Sequence, residues 1–358
     1  MSNILFVKTS SLGDVIHHMP AVTDARRHLP KAHFSWVVEE DFAPLVQLHP
    51  AVNDVIPVAA RRWRQAPFAR ATWQEIRSFM RAVRSRPYEE VIDTQGLLRS
   101  ALMVRKARGR RHGYDRNSIR EPLACGFYDI RHAVSRDVHA IRRNQMLTGL
   151  ALGYTPDAAI DYGLPREKFG RPGRYGLLLH ATARAEKLWP QDSWIALGNA
   201  LQRLTLPLGP QTPSPQPSPQ RGEGADRVRS ADYGLLHQAS SQMEPGSGLR
   251  LVLPWGTPAE RQRGESIACA VPGAELPDRL PIDAMARLVA GASFVIGVDT
   301  GLVHLAAAFG VPLVAIFVST KPGLTGPMGQ GPIAIVGGEG AIPSVAEVMA
   351  AVERVMRS

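Results

Sequence analysis

The chain alternates short apolar runs with stretches of helical periodicity, and it does so twice. In the first half, Asn3–Lys8 reads as a strand, followed by the small polar loop Thr9–Asp14 and a helical pattern from Val15 to His28. His33–Val38 is a second strand, a helix follows near Phe42–Leu48, and Val52–Val58 and Glu90–Asp93 are further strands. In the second half, strands are expected at Tyr175–His180, Leu249–Pro254, Ser293–Val298 and Pro312–Phe317. Helices are expected at Gln191–Leu204, Ile282–Ala290 and Leu302–Phe309, with an amphipathic helix at Ser344–Met356. Strand and helix in alternation define a parallel sheet covered on both faces. The fold class is therefore α/β. With 358 residues the chain is too long for one ordinary domain and suits two, and two Rossmann-like domains facing a cleft is the simplest architecture with this order.

The boundaries follow from composition. Residues 1–161 form the expected N-terminal domain, 175–343 the C-terminal domain, and 344–358 a terminal helix. Between the domains, Tyr162–Arg174 carries Gly163, Pro165, Gly170, Pro172 and Gly173 and reads as a linker. Residues 207–248, with the run Thr212-Pro213-Ser214-Pro215-Gln216-Pro217, are of low complexity and cannot bury enough surface to fold. They stand between a helix and a strand, where loops of about 2–6 residues are usual, and are expected to be a disordered insertion. The most apolar region, Leu288–Ser319, is interrupted by Asp299, His304 and Pro312 and reads as strand, helix and strand rather than a membrane span. The N-terminus lacks the apolar stretch of a signal peptide. Two distant cysteines, Cys125 and Cys269, offer neither a disulfide framework nor a zinc spacing and suit a reducing compartment.

Charge is concentrated. The chain carries a net +10, yet residues 61–143 alone hold 20 Lys and Arg against 8 Asp and Glu. The clusters Arg61-Arg62-Trp63-Arg64 and Arg108-Gly109-Arg110-Arg111 suit phosphate groups or a membrane surface. No helix-turn-helix, zinc-finger or RNP-like pattern accompanies them, which argues against nucleic acid.

Candidate ligand loops fall at strand ends, where ligands of parallel sheets bind. Lys8-Thr9-Ser10-Ser11-Leu12-Gly13-Asp14 could hold an anion at a helix N-terminus; Asp14 there is equally a capping residue or a catalytic carboxylate. Asp93-Thr94-Gln95-Gly96 lies at a neighbouring strand end. In the second half, Thr182 and Lys187 offer phosphate donors, although on these residues alone the loop reads first as solvated. Asp299-Thr300-Gly301 precedes an apolar helix whose first turn carries His304, so Thr300 and Gly301 can present amides to a pyrophosphate.

Several collinear strings resemble the lipopolysaccharide heptosyltransferases of glycosyltransferase family 9. They are Val7–Asp14, Trp36–Glu40, Val58–Arg64, Gln95–Leu97, Arg120–Leu123, Leu253–Pro258 and Val298–His304. The strings Arg-Arg-Trp-Arg and Leu-Pro-Trp-Gly-Thr-Pro favour the family's type I group over type II. The resemblance implies a GT-B fold and metal-free, inverting transfer without a cofactor. The donor it implies is ADP-L-glycero-β-D-manno-heptose, and the acceptor Kdo2-lipid A at the cytoplasmic face of the inner membrane. It assigns Asp14 as general base and Lys187 as the phosphate-binding lysine. Thr182, Asp299, Thr300, Gly301 and His304 match the donor loops, and Glu260 a ribose-binding glutamate. Ser10, Ser11, Gly13, Gln95, Arg61, Arg62, Arg64 and Arg120 fall on the acceptor side. Ala183 stands where the family carries a second hydroxyl residue.

Overall fold

The structure is a computed structural model that describes residues 2–169, 173–203 and 249–357. The expected insertion at 207–248 lies outside the described residues, as do Gly170 and Pro172 of the expected linker.

The first half contains β1 (Asn3–Val7), α1 (Leu12–His28), β2 (His33–Glu39), α2 (Ala43–Gln47), β3 (Asp54–Val58), α3 (Ala60–Gln65), α4 (Arg70–Arg84) and β4 (Glu90–Asp93). It continues with α5 (Leu98–Val104), β5 (Arg110–Tyr114), β6 (Ile130–His132) and α6 (Ala140–Leu152). The second contains β7 (Tyr175–Leu179), α7 (Gln191–Gln202), β8 (Arg250–Val252), α8 (Pro258–Ala270), β9 (Ala274–Glu275) and α9 (Ile282–Gly291). It ends with β10 (Phe294–Val298), α10 (Gly301–Ala308), β11 (Leu313–Phe317), β12 (Ile333–Gly337) and α11 (Val345–Arg357).

All strands pair in parallel, in two sheets of order β3-β2-β1-β4-β5-β6 and β12-β11-β10-β7-β8-β9. The central strands are continuous apolar runs because helices cover both their faces: Ile4–Val7 of β1 and all of β10 are buried. Each fully buried aliphatic or aromatic side chain there contributes roughly 1.5–3 kcal/mol. In each sheet the strand order reverses beside the first strand of that half, between β1 and β4 and between β7 and β10. The loops after those four strands therefore border a crevice.

Two departures from the sequence reading have local causes. Helix α1 starts at Leu12 rather than Val15, because its first turn is set by capping at Ser11 and not by apolar periodicity. Helices α3, α4, α5, α6 and α8 were not expected. Three have thin apolar stripes: α3 buries no residue, α4 buries Thr72, Phe79 and Val83, and α8 buries Gly264 and Ile267. Helix α6 is well buried, but Asn144, Gln145, Thr148 and Gly149 interrupt its buried face.

The described residues of the connector between the halves are anchored. Tyr162 Oη donates to Met328 O (2.6 Å), and Arg166 donates to Ala290 O and Ala292 O (2.7 and 2.6 Å). Phe169 packs edge-on against Phe309. Gly163 has φ +66°, and a Cβ there would meet His49 Nε2 at 2.7 Å, so glycine is required on both counts. One apolar core runs from the first sheet to Leu177, Leu179, Val303 and Leu305 of the second half. A second core, on the other face of the second sheet, gathers Trp189, Trp194 and Ile296 under Val348, Val352 and Val355 of α11.

Candidate active site at the junction of the two sheets

The loop after β1 is held by two residues. Gln95 Oε1 accepts from the amides of Thr9 (2.9 Å) and Ser10 (3.2 Å), and Arg99 Nη2 donates to Ser10 Oγ (2.7 Å). The turn carrying Gln95 is braced by buried Asp93, whose carboxylate accepts from Gln95 N, Gly96 N, Ser100 Oγ and Tyr128 Oη. Burial raises the pKa of Asp93, and these four hydrogen bonds oppose the rise.

Asp14 stands at the third position of α1, with Ser11 as the N-cap. The expected N-cap role for Asp14 is corrected to that of capping-box partner: its Oδ2 accepts from Ser11 N (2.8 Å) and Ser11 Oγ (3.0 Å). The side chain is 39% exposed, and its Oδ1 lies 3.8 Å from Lys8 Nζ. Lys8 is buried and donates to Thr94 O (2.9 Å). Burial lowers the Lys8 pKa, the charges of Asp14 and Asp93 raise it, and Arg143 and Arg120 add to the lowering.

In the second half, Asp299 organises the loops. Its Oδ2 accepts from Lys187 Nζ and from Thr320 Oγ1 (2.7 Å), and its backbone oxygen accepts from Thr182 Oγ1 (3.1 Å). Lys187 is thus not a free solvated cation, although Ala183–Glu186 beside it are exposed. Thr300 is the N-cap of α10, and no side-chain bond occupies that cap. Glu260 closes a capping box on α8, with Oε2 accepting from Gly256 N (2.7 Å) and Thr257 N (3.1 Å).

These loops meet across the junction. A Cβ on Gly301 would sit 2.7 Å from Leu12 Cβ, and one on Gly13 would sit 3.1 Å from His304 Cδ2. Both glycines therefore serve close approach of α1 to the N-terminus of α10. His304 and His17 are buried and in hydrogen-bond contact, Nδ1 to Nε2, at 3.1 Å. The His304 pKa is pushed down to about 4 by burial; Asp299 and Asp14 oppose this, and His139 and Lys187 reinforce it. The structure thus brings the start of α1, with Gly13 and Asp14, against Gly301 and His304 of α10; Gln95 holds the loop of Ser10 and Ser11 that precedes it, and Thr182 and Lys187 hold Asp299 just before Thr300. A carboxylate facing a helix N-terminus across a crevice can take a proton on one side while amides and a lysine stabilise an anion on the other.

The basic cluster is divided. Arg61 N donates to Glu39 Oε1 (2.8 Å), and Glu39 N donates to Thr9 O (3.1 Å), which ties α3 to the loop after β1. Arg62 is held by Glu40 and Glu75, and Glu75 also accepts from Trp63 Nε1. Arg64 and Arg120 are exposed, and neither forms an ion pair among the described residues. A separate concavity lined by Arg142, Ile160, Met328 and Gln330 includes none of these loops and no carboxylate.

Sequence reasoning did not single out Lys8, Asp93, Arg99, His17, His139 or Thr320. Lys8 and Asp93 stood within strings already noted, at strand ends. The others carry no local signal, because their partners are far away in the chain.

The family model for glycosyltransferase family 9 (heptosyltransferase) matches residues 76–208 and 231–351, and the chain belongs to this family. Lipopolysaccharide heptosyltransferase 1 of Escherichia coli (strain K12) is 38% identical over 333 residues, 91% of this chain and 91% of that protein. The structure of E. coli heptosyltransferase WaaC with ADP is 35% identical and aligns with a TM-score of 0.79 over 98% of this chain and 99% of that one. The same enzyme with ADP-2-deoxy-2-fluoro heptose aligns at 0.77 with 34% identity. The paired Rossmann-like sheets are the GT-B fold that the resemblance implied.

Proposed function

We propose that this chain transfers L-glycero-D-manno-heptose from ADP-L-glycero-β-D-manno-heptose to Kdo2-lipid A, in assembly of the lipopolysaccharide inner core. The observation that carries the reading is the contact of the Asp14 loop with the N-terminus of α10, in a chain 38% identical to a heptosyltransferase 1. In this reading residues 1–161 receive the acceptor and 175–343 the donor. Asp14 takes the proton of the attacking acceptor hydroxyl. The new bond forms between that oxygen and the anomeric carbon with inversion, the bond from that carbon to the pyrophosphate oxygen breaks, and ADP leaves with the electron pair.

Charge developing on the pyrophosphate is met by Lys187, Thr182, Thr300 and the Gly301 amide. Glu260 holds the ribose. His304 lies beside the sugar, and Ser10, Ser11, Gly13 and Gln95 shape the acceptor side. Arg61, Arg62, Arg64 and Arg120 receive acceptor phosphates and carboxylates. Arg64 and Arg120 are available as they stand, whereas Arg62 must exchange Glu40 and Glu75 for the ligand. A peripheral position at the cytoplasmic face of the inner membrane fits the basic stretch beside exposed Phe68 (94%) and Trp73 (54%). No helix among the described residues is long and apolar enough to cross a membrane.

The test is incubation with ADP-heptose and Kdo2-lipid A, followed by mass spectrometry of the lipid. The expected product carries one added heptose, with ADP released in equal amount. Product formed only on an acceptor that already bears heptose would move the assignment to the type II group. Absence of ADP release with either acceptor would refute transfer.

A further inference from the structure

The His17–His304 contact joins the two halves beside the Asp14 loop and couples the proton positions of two rings. His17 is on the second turn of α1 and His304 on the first turn of α10, at 4% and 5% exposure. The rings cross at 77° with centroids 4.4 Å apart, and His17 Nε2 lies 3.1 Å from His304 Nδ1. Burial pushes both pKa values below the ordinary imidazole value, so both rings are neutral. Between two neutral imidazoles in this geometry one nitrogen donates and the other accepts, so each ring's tautomer sets the other's.

The placement of the two ring nitrogens of His304 bears on the direction. His304 Nε2 faces Gly13, 3.5 Å from the point a Cβ there would occupy. The charges of Asp14 and Asp299 favour the protonated His304 ring, and those of His139 and Lys187 disfavour it. His139 is itself fixed: its Nδ1 accepts from Ile141 N (3.2 Å), so its Nε2–H donates to Gly326 O (3.0 Å). With the single His304 proton on Nε2, the N–H dipole lies on the side of Gly13 and its neighbour Asp14, and Nδ1 is left bare for a donor.

We propose that His17 is a positioning residue: by donating from Nε2 to His304 Nδ1 it holds His304 as an Nε2–H donor on the Gly13 side of the ring, toward an oxygen of the bound sugar nucleotide. In the opposite tautomer a lone pair would face that oxygen and repel it. The contact spans the halves, so the donor is set only when α1 and α10 are together. The proposal rests on the heptosyl-transfer reading for its consequence, but not for the tautomer itself.

The experiment compares wild type with His17→Leu and His17→Gln. Long-range nitrogen–proton NMR of the histidine rings, on protein without substrate, reads the tautomer. Wild type and His17→Gln, whose amide can donate from nearly the same place, should show His304 protonated at Nε2 alone, and His17→Leu should show a mixture. In heptose transfer, His17→Leu should lower kcat about 10- to 100-fold, as loss of the orienting partner does for metal-bound histidines. KM for ADP-heptose should change far less, and His17→Gln should recover most of kcat. Wild type protonated at His304 Nδ1 overturns the proposal, even if His17→Leu fails to fold. An unchanged tautomer in His17→Leu, or equal loss in both variants, overturns it too. Wild type that shows the expected tautomer but transfers no heptose refutes the functional reading and leaves the tautomer assignment standing.

Discussion

Gly301→Ala tests whether the junction of the halves is the reaction site. The added Cβ would meet Leu12 Cβ at 2.7 Å and Leu12 Cγ and Cδ2 at 2.8 Å. Carbon atoms rest at about 3.5–4.0 Å, so roughly 1 Å of separation is demanded. No rotamer of Leu12 relieves it, because the nearest atom is Cβ, fixed by the backbone of α1. The helix must therefore move, and Asp14, two residues on, moves with it away from the N-terminus of α10. A displacement of about 1 Å at a reacting pair can cost about 100-fold in rate, and overpacking of this kind costs about 1–3 kcal/mol of stability. The assay is single-turnover heptose transfer with melting and ADP affinity on the same preparation. ADP affinity should change by less than the turnover, since α10 keeps its amides. Gly323→Ala, where a Cβ meets nothing within 4 Å, is the control. Full turnover in Gly301→Ala with unchanged melting would refute the argument that the two loops act in contact.

Four further outcomes are expected. Asp14→Asn keeps an oxygen able to accept from Ser11, so stability should fall by about 1 kcal/mol or less, while transfer drops about 10²–10⁴-fold; retained transfer in a single-turnover assay would remove Asp14 as the base. Lys187→Ala should lower kcat about 10²–10³-fold, and near-normal turnover would show that the leaving group is stabilised elsewhere. Arg64→Ala and Arg120→Ala, which break no ion pair among the described residues, should raise acceptor KM and flatten its salt dependence with little change in donor KM; an equal rise in both KM values would contradict an acceptor role. His49 and His304 have pKa values pushed down to about 4 from 6.5, so the folded state resists protonation that the unfolded chain accepts. Their contribution is complete above about pH 6.5 and is lost as pH falls toward 4, by about 1.4 kcal/mol per pH unit for each ring. Urea unfolding that gives the same stability at about pH 7 and pH 5 would contradict this.

The fold was readable where burial is two-sided. Ile4–Val7, Phe294–Val298 and Leu313–Phe317 are unbroken apolar runs because both faces of those strands are covered, and their alternation with helices implies parallel order. Elements with few buried residues escaped: α8 begins at a capping box but has no apolar stripe, and the two-residue strand β9 is too short to show a period. Among site residues, those on strand-end loops were legible from position. Their pairings were not. Lys187 with Asp299 spans 112 positions and His17 with His304 spans 287, and no periodicity reports contacts at that distance. The charge pattern was legible only as a sum. Arg62, Arg110 and Arg111 are each held by carboxylates, while Arg64 and Arg120 are not, and that division depends on the fold.

The sequence posed Asp14 as either a cap or a base, and the structure removes the opposition. Helices α1 and α8 open with the same device, Ser11-x-x-Asp14 and Thr257-x-x-Glu260. In each, one carboxylate oxygen is committed to amide N–H groups: Asp14 Oδ2 to Ser11, and Glu260 Oε2 to Gly256 and Thr257. The other oxygen, Oδ1 or Oε1, accepts no hydrogen bond among the described residues. A cap of this kind fixes the side-chain torsions with bonds the helix needs in any case, and so orients the second oxygen at little further entropic cost. For Asp14 that oxygen looks toward Lys8 at 3.8 Å, which keeps the carboxylate close to a cation without a direct hydrogen bond. The cap orients the carboxylate that the proposed reaction uses as its base. Asp14→Glu should then separate the two roles: the longer side chain can still cap at Ser11, but its free oxygen is displaced, so melting should hold while transfer falls. Transfer that survives intact in Asp14→Glu would mean that orientation by the cap is irrelevant to the chemistry.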